Sequence, residues 1–160
     1  MDFQAIARAA KRQEKDMVAF LRDIVAIPSE SGRESEVVAR IRAEMERAGV
    51  FNRVWTDGLG NLLATIGSGP RLIAIDAHID TVGVGSRDEW KHDPYKGKVA
   101  GGFVYGRGAG DQKGAVPPMI AAARILHDLG LHRDAPWTLL LACTVMEEDC
   151  DGLCWDYLIR

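Results

Sequence analysis

Three short stretches of this chain carry residue types that do chemistry. The first is His78-Ile79-Asp80, which closes an apolar run beginning at Leu72. Strand alternation would place His78 and Asp80 on one face and Ile79 on the other. An imidazole binds a metal through one ring nitrogen, and a carboxylate two residues on can fix the other. The plainer alternative is a hydrogen-bonded histidine at a strand end.

The second stretch is Gly106-Arg107-Gly108-Ala109-Gly110-Asp111-Gln112-Lys113-Gly114. Glycines let a backbone bend sharply and come close to a partner. No Gly-Lys-Ser or Gly-Lys-Thr follows, so this is no P-loop. A dinucleotide-type spacing begins at Gly106 and Gly108, but Asp111 stands where the third glycine belongs. A carboxylate there repels pyrophosphate and suits a divalent cation; a turn capping a helix through Asp111 is the plainer alternative. The third stretch is Glu147-Glu148-Asp149-Cys150-Asp151-Gly152, directly after the apolar Leu139 to Val145. Crowded acids repel each other unless solvent or a cation neutralises them. Oxygen ligands with one imidazole suit zinc, cobalt or manganese. Adjacent glutamates can divide the labour between metal and proton. An exposed acidic turn is the plainer alternative.

These residues need a frame. Residues 3–26 have helical apolar spacing, ended by Pro28. Ser31 and Glu34 read as a capping box for a second helix with a stripe of Val37, Val38, Ile41 and Met45, stopped at Gly49. The charged faces of both helices read as solvated surface. Arg53 to Thr56 and Asn61 to Ile66 read as a hairpin about Gly58 to Gly60. Arg71 to Asp80 reads as a strand covered on both faces. Ser86 to Lys98 is a polar loop, Lys98 to Gly106 a strand, and Gly114 to Gly130 a helix with Pro117 and Pro118 in its first turn. Trp137 to Met146 is a buried strand and Gly152 to Arg160 opens a helix. The expectation is an α/β class, a mixed sheet flanked by helices, helical over 1–50 with the sheet and the chemical motifs over 51–160.

Composition narrows the classes. The chain has 160 residues, 47% hydrophobic and 27% charged, which excludes disorder as the main state. A net charge of −3 with no basic block argues against nucleic-acid binding. No apolar run is long enough to span a membrane, and Met1 to Lys15 lacks the apolar core of a signal peptide. Three cysteines form no closed disulfide framework, so a reducing cytoplasm is expected.

His78-x-Asp80, Gly106-Arg107-Gly108-x-x-Asp111-x-Lys113-Gly114 and Glu147-Glu148 ahead of Gly152 resemble the signatures of the M20 metallopeptidases and amidohydrolases, in that family's order and spacing. Trp90, Asp93 and Pro94 also match its pattern. The stretch Glu147 to Trp155 looks most like the selenium-metabolism-linked hydrolase branch, although Met146 departs from the residue often found before the glutamate pair. The resemblance implies a zinc-peptidase-like catalytic domain with two divalent metal ions, zinc first, cobalt or manganese otherwise. His78 would bind one ion, Asp111 would bridge both and Glu148 would bind the second. Asp80 would orient His78, and Glu147 would be the general base. The reaction would be hydrolysis of an amide in a small peptide or an N-acylated amino acid. The family pattern also needs a further acidic ligand and a late histidine, beyond a lid domain through which longer relatives form homodimers. The chain therefore reads as the N-terminal part of such a domain, cut before the lid and inactive alone, with its sheet edge exposed. A non-catalytic remnant that binds metal or a partner is the alternative.

Other residues carry lesser expectations. Cys143, Cys150 and Cys154 hold spacing compatible with a zinc knot but lack a second ligand pair, and Cys143 reads as core. His127 reads as surface at a helix end; His127 and His132, distant in sequence with a helix end between, supply no second ligand pair. His92 reads as surface, Arg107 as structural, and Lys113 as positioning the glycine loop or pairing with Asp111.

Overall fold

Two amphipathic helices open the chain. In the computed structural model, which describes residues 2–150 and 152–160, α1 spans Phe3–Val25. It starts where the Asp2 carboxylate accepts the N–H groups of Gln4 and Ala5. Helix α2 spans Ser35–Ala48 and ends at Gly49, whose φ of +67° closes the last turn in the left-handed region. Val37, Ile41 and Met45 are buried along one stripe of α2, as are Phe20 and Ile24 of α1. Each such side chain, fully buried, contributes about 1.5–3 kcal/mol.

Two features of this half differ from expectation. Neither Ser31 nor Glu34 caps α2: Glu34 holds the cap position without a side-chain bond to the helix, and both side chains turn elsewhere. Nor is the charged face of α2 wholly solvated. Glu44 is 4% exposed and accepts hydrogen bonds from Arg40, Arg47 and Arg124, which tie α2 to a later helix. Three guanidinium partners offset the desolvation of a buried carboxylate.

The hairpin forms as expected, from β1 (Arg53–Thr56) and β2 (Leu62–Gly67) in antiparallel register. Its turn is organised by Asp57, whose Oδ1 accepts the N–H groups of Leu59, Gly60 and Asn61. Strand β3 covers Arg71–His78. Lys98 to Gly106 forms two short strands, β4 (Lys98–Ala100) and β5 (Phe103–Tyr105), rather than one. Gly101 and Gly102 between them both have positive φ, a turn the alternating pattern conceals. Helix α3 is Val116–Asp128, and β6 is Trp137–Thr144. The chain closes with the short helices α4 (Glu147–Cys150) and α5 (Leu153–Ile159).

The main sheet has the order β1-β2-β6-β3. Strand β6 pairs antiparallel with β2 and parallel with β3, so the sheet is mixed. Side chains of β2 and β6 join α1, α2 and α3 in one core. The expectation that β3 is covered on both faces fails over its first half. Leu72 is 61% exposed and Ile73 42%, and burial begins at Ala77. The reason is position: β3 is the last strand in the order and pairs on one side only. An apolar run does not say whether its strand lies at the centre or the edge. The parallel register sets His78 beside Thr144, so the residues after β3 and after β6 leave the sheet together.

Candidate metal centre

Ile79 is fully buried in the core, and the alternation turns His78 and Asp80 toward the opposite side. The His78 ring is fixed at both ends. Its Nδ1 lies 3.1 Å from the Asp80 carbonyl oxygen and 3.5 Å from the Asp80 carboxylate, and its Nε2 lies 2.9 Å from Asp111 Oδ1. The Asp80 carboxylate also accepts the Ser31 hydroxyl at 2.6 Å and the backbone N–H groups of Glu147 and Glu148 at 3.1 and 3.0 Å. Asp80 thus starts α4 from across the chain while facing His78.

These contacts move both titrations. The Asp80 carboxylate, against the opposing effect of burial and with help from Asp111, raises the His78 pKa to about 9. Burial alone would raise the Asp80 pKa; the hydrogen bonds from His78, Ser31 and the two N–H groups outweigh it and bring it down to about 2. A cluster of carboxylates round one imidazole favours positive charge, whether a proton on the ring or a cation in its place.

Asp111 does not cap a helix; its side chain is 80% exposed and reaches His78. The loop that carries it is packed closely. A Cβ on Gly108 would stand 2.7 Å from Thr81 Cγ2, and its φ of +76° also favours glycine. Lys113 lies under the loop, 1% exposed, and donates to the carbonyls of Ile24 and Ile27 at 3.0 and 2.7 Å. It anchors the loop to the end of α1 and does not pair with Asp111. Burial lowers its pKa to about 8.

The structure gathers His78, Asp111 and Glu148, with one ligand atom of each within 4.8 Å of the others. Glu147 Oε2 stands 3.8 Å from His78 Nε2. All five expected site residues therefore meet at one place, the end of the sheet where β3 and β6 finish. Asp149 is exposed beside them, and Asp151, the remaining acid of that cluster, lies outside the described residues. No cysteine joins a metal-type group among the described residues: Cys143 and Cys154 are buried, free thiols. His127 and His132, set apart in the sequence with a helix end between, stack on each other with ring centroids 5.0 Å apart. Arg107 lies over Trp90 and His92 packs edge-on to Tyr105, packing roles in both cases.

Sequence reasoning missed three contributors. Glu34 Oε1 accepts the Met146 N–H at 3.0 Å, Asn61 Oδ1 accepts the Val145 N–H at 3.0 Å, and Ser31 holds Asp80. Ser31 and Glu34 did carry a signal, but it pointed to a helix cap. A cleft of about 530 Å³ opens beside Met146, lined by Val38, Leu59 and Val145 among others. A larger one of about 700 Å³, walled by Arg22, Lys91 and Lys98, includes none of the site residues.

Sheet, flanking helices and cluster together define an α/β layer with a candidate metal centre at one end of its sheet. The chain belongs to peptidase family M20/M25/M40, whose family model matches residues 74–159. It is 52% identical over 158 residues to the uncharacterized protein YgeY of Escherichia coli K12, covering 99% of this chain and 38% of that one. It is 37% identical over 111 residues to the succinyl-diaminopimelate desuccinylase of Dinoroseobacter shibae, covering 68% and 29% respectively. Among solved structures, human carnosine dipeptidase 1 matches 98% of this chain and 36% of its own, with a TM-score of 0.76 at 24% identity. The Bacillus subtilis YXEP protein, a dinuclear metal-binding M20 peptidase, matches 86% and 37% with a TM-score of 0.64 at 21% identity. The chain thus spans well under half the length of these relatives. No helix among the described residues is long and apolar enough to cross a membrane.

Proposed function

We propose that this chain carries part of a two-metal centre that hydrolyses an amide bond in a small peptide or an N-acylated amino acid. The observation that carries the reading is the meeting of His78, Asp111 and Glu148 within 4.8 Å. The donor set fits the ions: one imidazole and carboxylate oxygens suit zinc, or cobalt or manganese. His78 would hold one ion, Glu148 the other, and Asp111 would face both. Bound ions would polarise the scissile carbonyl and acidify the attacking water.

The chain's own residues do the rest. Asp80 holds the Nδ1 side of His78, which leaves Nε2 facing the cluster. Glu147, half-exposed at the mouth, takes the proton of the attacking water and delivers it to the departing nitrogen. Support for amide substrates comes from the kinship with a desuccinylase and the fold shared with a dipeptidase. Three unpaired cysteines support a reducing compartment.

Catalytic zinc takes three protein ligands as a rule, so three side chains do not complete two sites. The 160 residues by themselves should therefore bind divalent ions weakly and hydrolyse nothing. Calorimetric titration with zinc and cobalt tests this. Binding that disappears in Asp111→Ala supports the centre; heat from ATP or NAD with none from metal overturns it. Zinc-dependent hydrolysis of dipeptides by these residues alone overturns the need for further ligands.

A further inference from the structure

The turn that carries Glu147 and Glu148 closes with one backbone bond, from Cys150 N–H to the Met146 carbonyl at 3.2 Å, and is otherwise held by side chains from elsewhere. Four consecutive N–H groups donate to side-chain oxygens: Val145 to Asn61 Oδ1 at 3.0 Å, Met146 to Glu34 Oε1 at 3.0 Å, Glu147 to Asp80 Oδ1 at 3.1 Å and Glu148 to Asp80 Oδ2 at 3.0 Å. Met146 has a φ of +58°, a conformation a non-glycine side chain adopts only when its surroundings impose it. The N–H of Met146 has its acceptor in Glu34, which is 6% exposed and also accepts the Gly32 N–H at 3.0 Å. The same loop reaches Asp80 through the Ser31 hydroxyl. It is itself fastened along the strand end, since Ser29 Oγ donates to the Ile79 carbonyl at 2.7 Å and Thr81 N–H donates to the Ser29 carbonyl at 2.9 Å.

We infer that Ser31 and Glu34 are positioning residues of the centre, setting the direction of the Glu147 and Glu148 side chains. Glu34 acts through the Met146 N–H, and Ser31 acts through Asp80. Neither touches a ligand atom or a reacting group. Partners one step removed from a metal fix the orientation of its ligands, and their loss typically weakens metal binding about 10–100-fold. The inference rests on the two-metal reading above.

The test is cobalt titration of the protein, followed by visible absorption, which reports both affinity and ligand geometry. Glu34→Ala removes the acceptor and Glu34→Gln keeps an oxygen in its place. Ser31→Ala removes the donor and Ser31→Thr keeps a hydroxyl. The alanine variants should weaken cobalt binding about 10–100-fold and alter the visible bands, while the conservative variants stay near wild type. Metal-free thermal melts establish that each variant is folded, and the Ser31 pair decides the matter if Glu34→Ala does not fold. Wild-type affinity and bands in the alanine variants overturn the inference, as does a Glu34→Gln loss equal to that of Glu34→Ala. If instead wild type and His78→Ala bind cobalt identically, the two-metal reading itself falls.

Discussion

The two limbs of the centre are held in opposite ways. On one, His78 and Asp80 are buried, and Asp80 receives a hydroxyl and two backbone N–H groups besides its contact with His78. On the other, the Asp111 side chain is 80% exposed and its hydrogen bond is to His78. What is anchored there is the loop backbone, through buried Lys113 and the close approach of Gly108 to Thr81. The first limb is therefore built into the stability of the fold. The second has a fixed backbone and an exposed side chain, which under the proposed function would serve an ion.

The largest effect should come from breaking the buried limb. Asp80→Ala leaves several partly or fully buried donors without an acceptor and should cost about 3 kcal/mol or more, measured by urea unfolding of the metal-free protein. A loss under about 1 kcal/mol would show that the limb is not a structural unit.

Acidity separates the limbs next. His78 has its pKa raised from 6.5 to about 9, so its stabilising contribution is complete below pH 6.5 and disappears as pH rises through 9. Lys113 has its pKa lowered from 10.5 to about 8, so its penalty is complete below pH 8 and gone above 10.5. Metal-free stability should thus fall between pH 6.5 and 9 on account of His78, and rise between 8 and 10.5 on account of Lys113. Urea midpoints against pH for His78→Ala and Lys113→Met should each lose one of these slopes. A fall that survives in His78→Ala assigns it to another group.

The smallest effect on the fold should be that of Asp111→Ala. An exposed carboxylate is worth no more than about 1 kcal/mol, so unfolding should barely change while metal binding is abolished. A large destabilisation would remove the distinction between the limbs.

Much of the frame was legible because its signals are local. Helical periodicity marked α1 and α2, the alternation of His78, Ile79 and Asp80 marked their two faces, and Pro117 and Pro118 marked the start of α3. Residue types at strand ends also marked His78, Asp80, Glu147 and Glu148 as candidates, since a charge beside an apolar run needs a partner, and Asp111 was marked by its place in a glycine-rich loop. The glycine pair that splits β4 from β5 was misread because three-residue strands leave too short a pattern to distinguish from one longer strand.

Residue spacing by itself did not decide which groups meet; beyond what the family resemblance implied, tertiary structure did. Asp111 stands 33 residues from His78, and no spacing rule fixes that contact. Leu72 and Leu141 both sit in apolar runs, yet one is exposed and one buried, because strand order sets which strand is the edge. The same holds for the polar groups. Ser31 and Glu34 have the types and spacing of a helix cap, but a hydroxyl or carboxylate bonds whichever group the fold brings within reach. Here the fold brings Asp80 and Met146. Residue types and short-range periodicity thus determined the available elements and chemistry, and long-range packing determined the partner of each group.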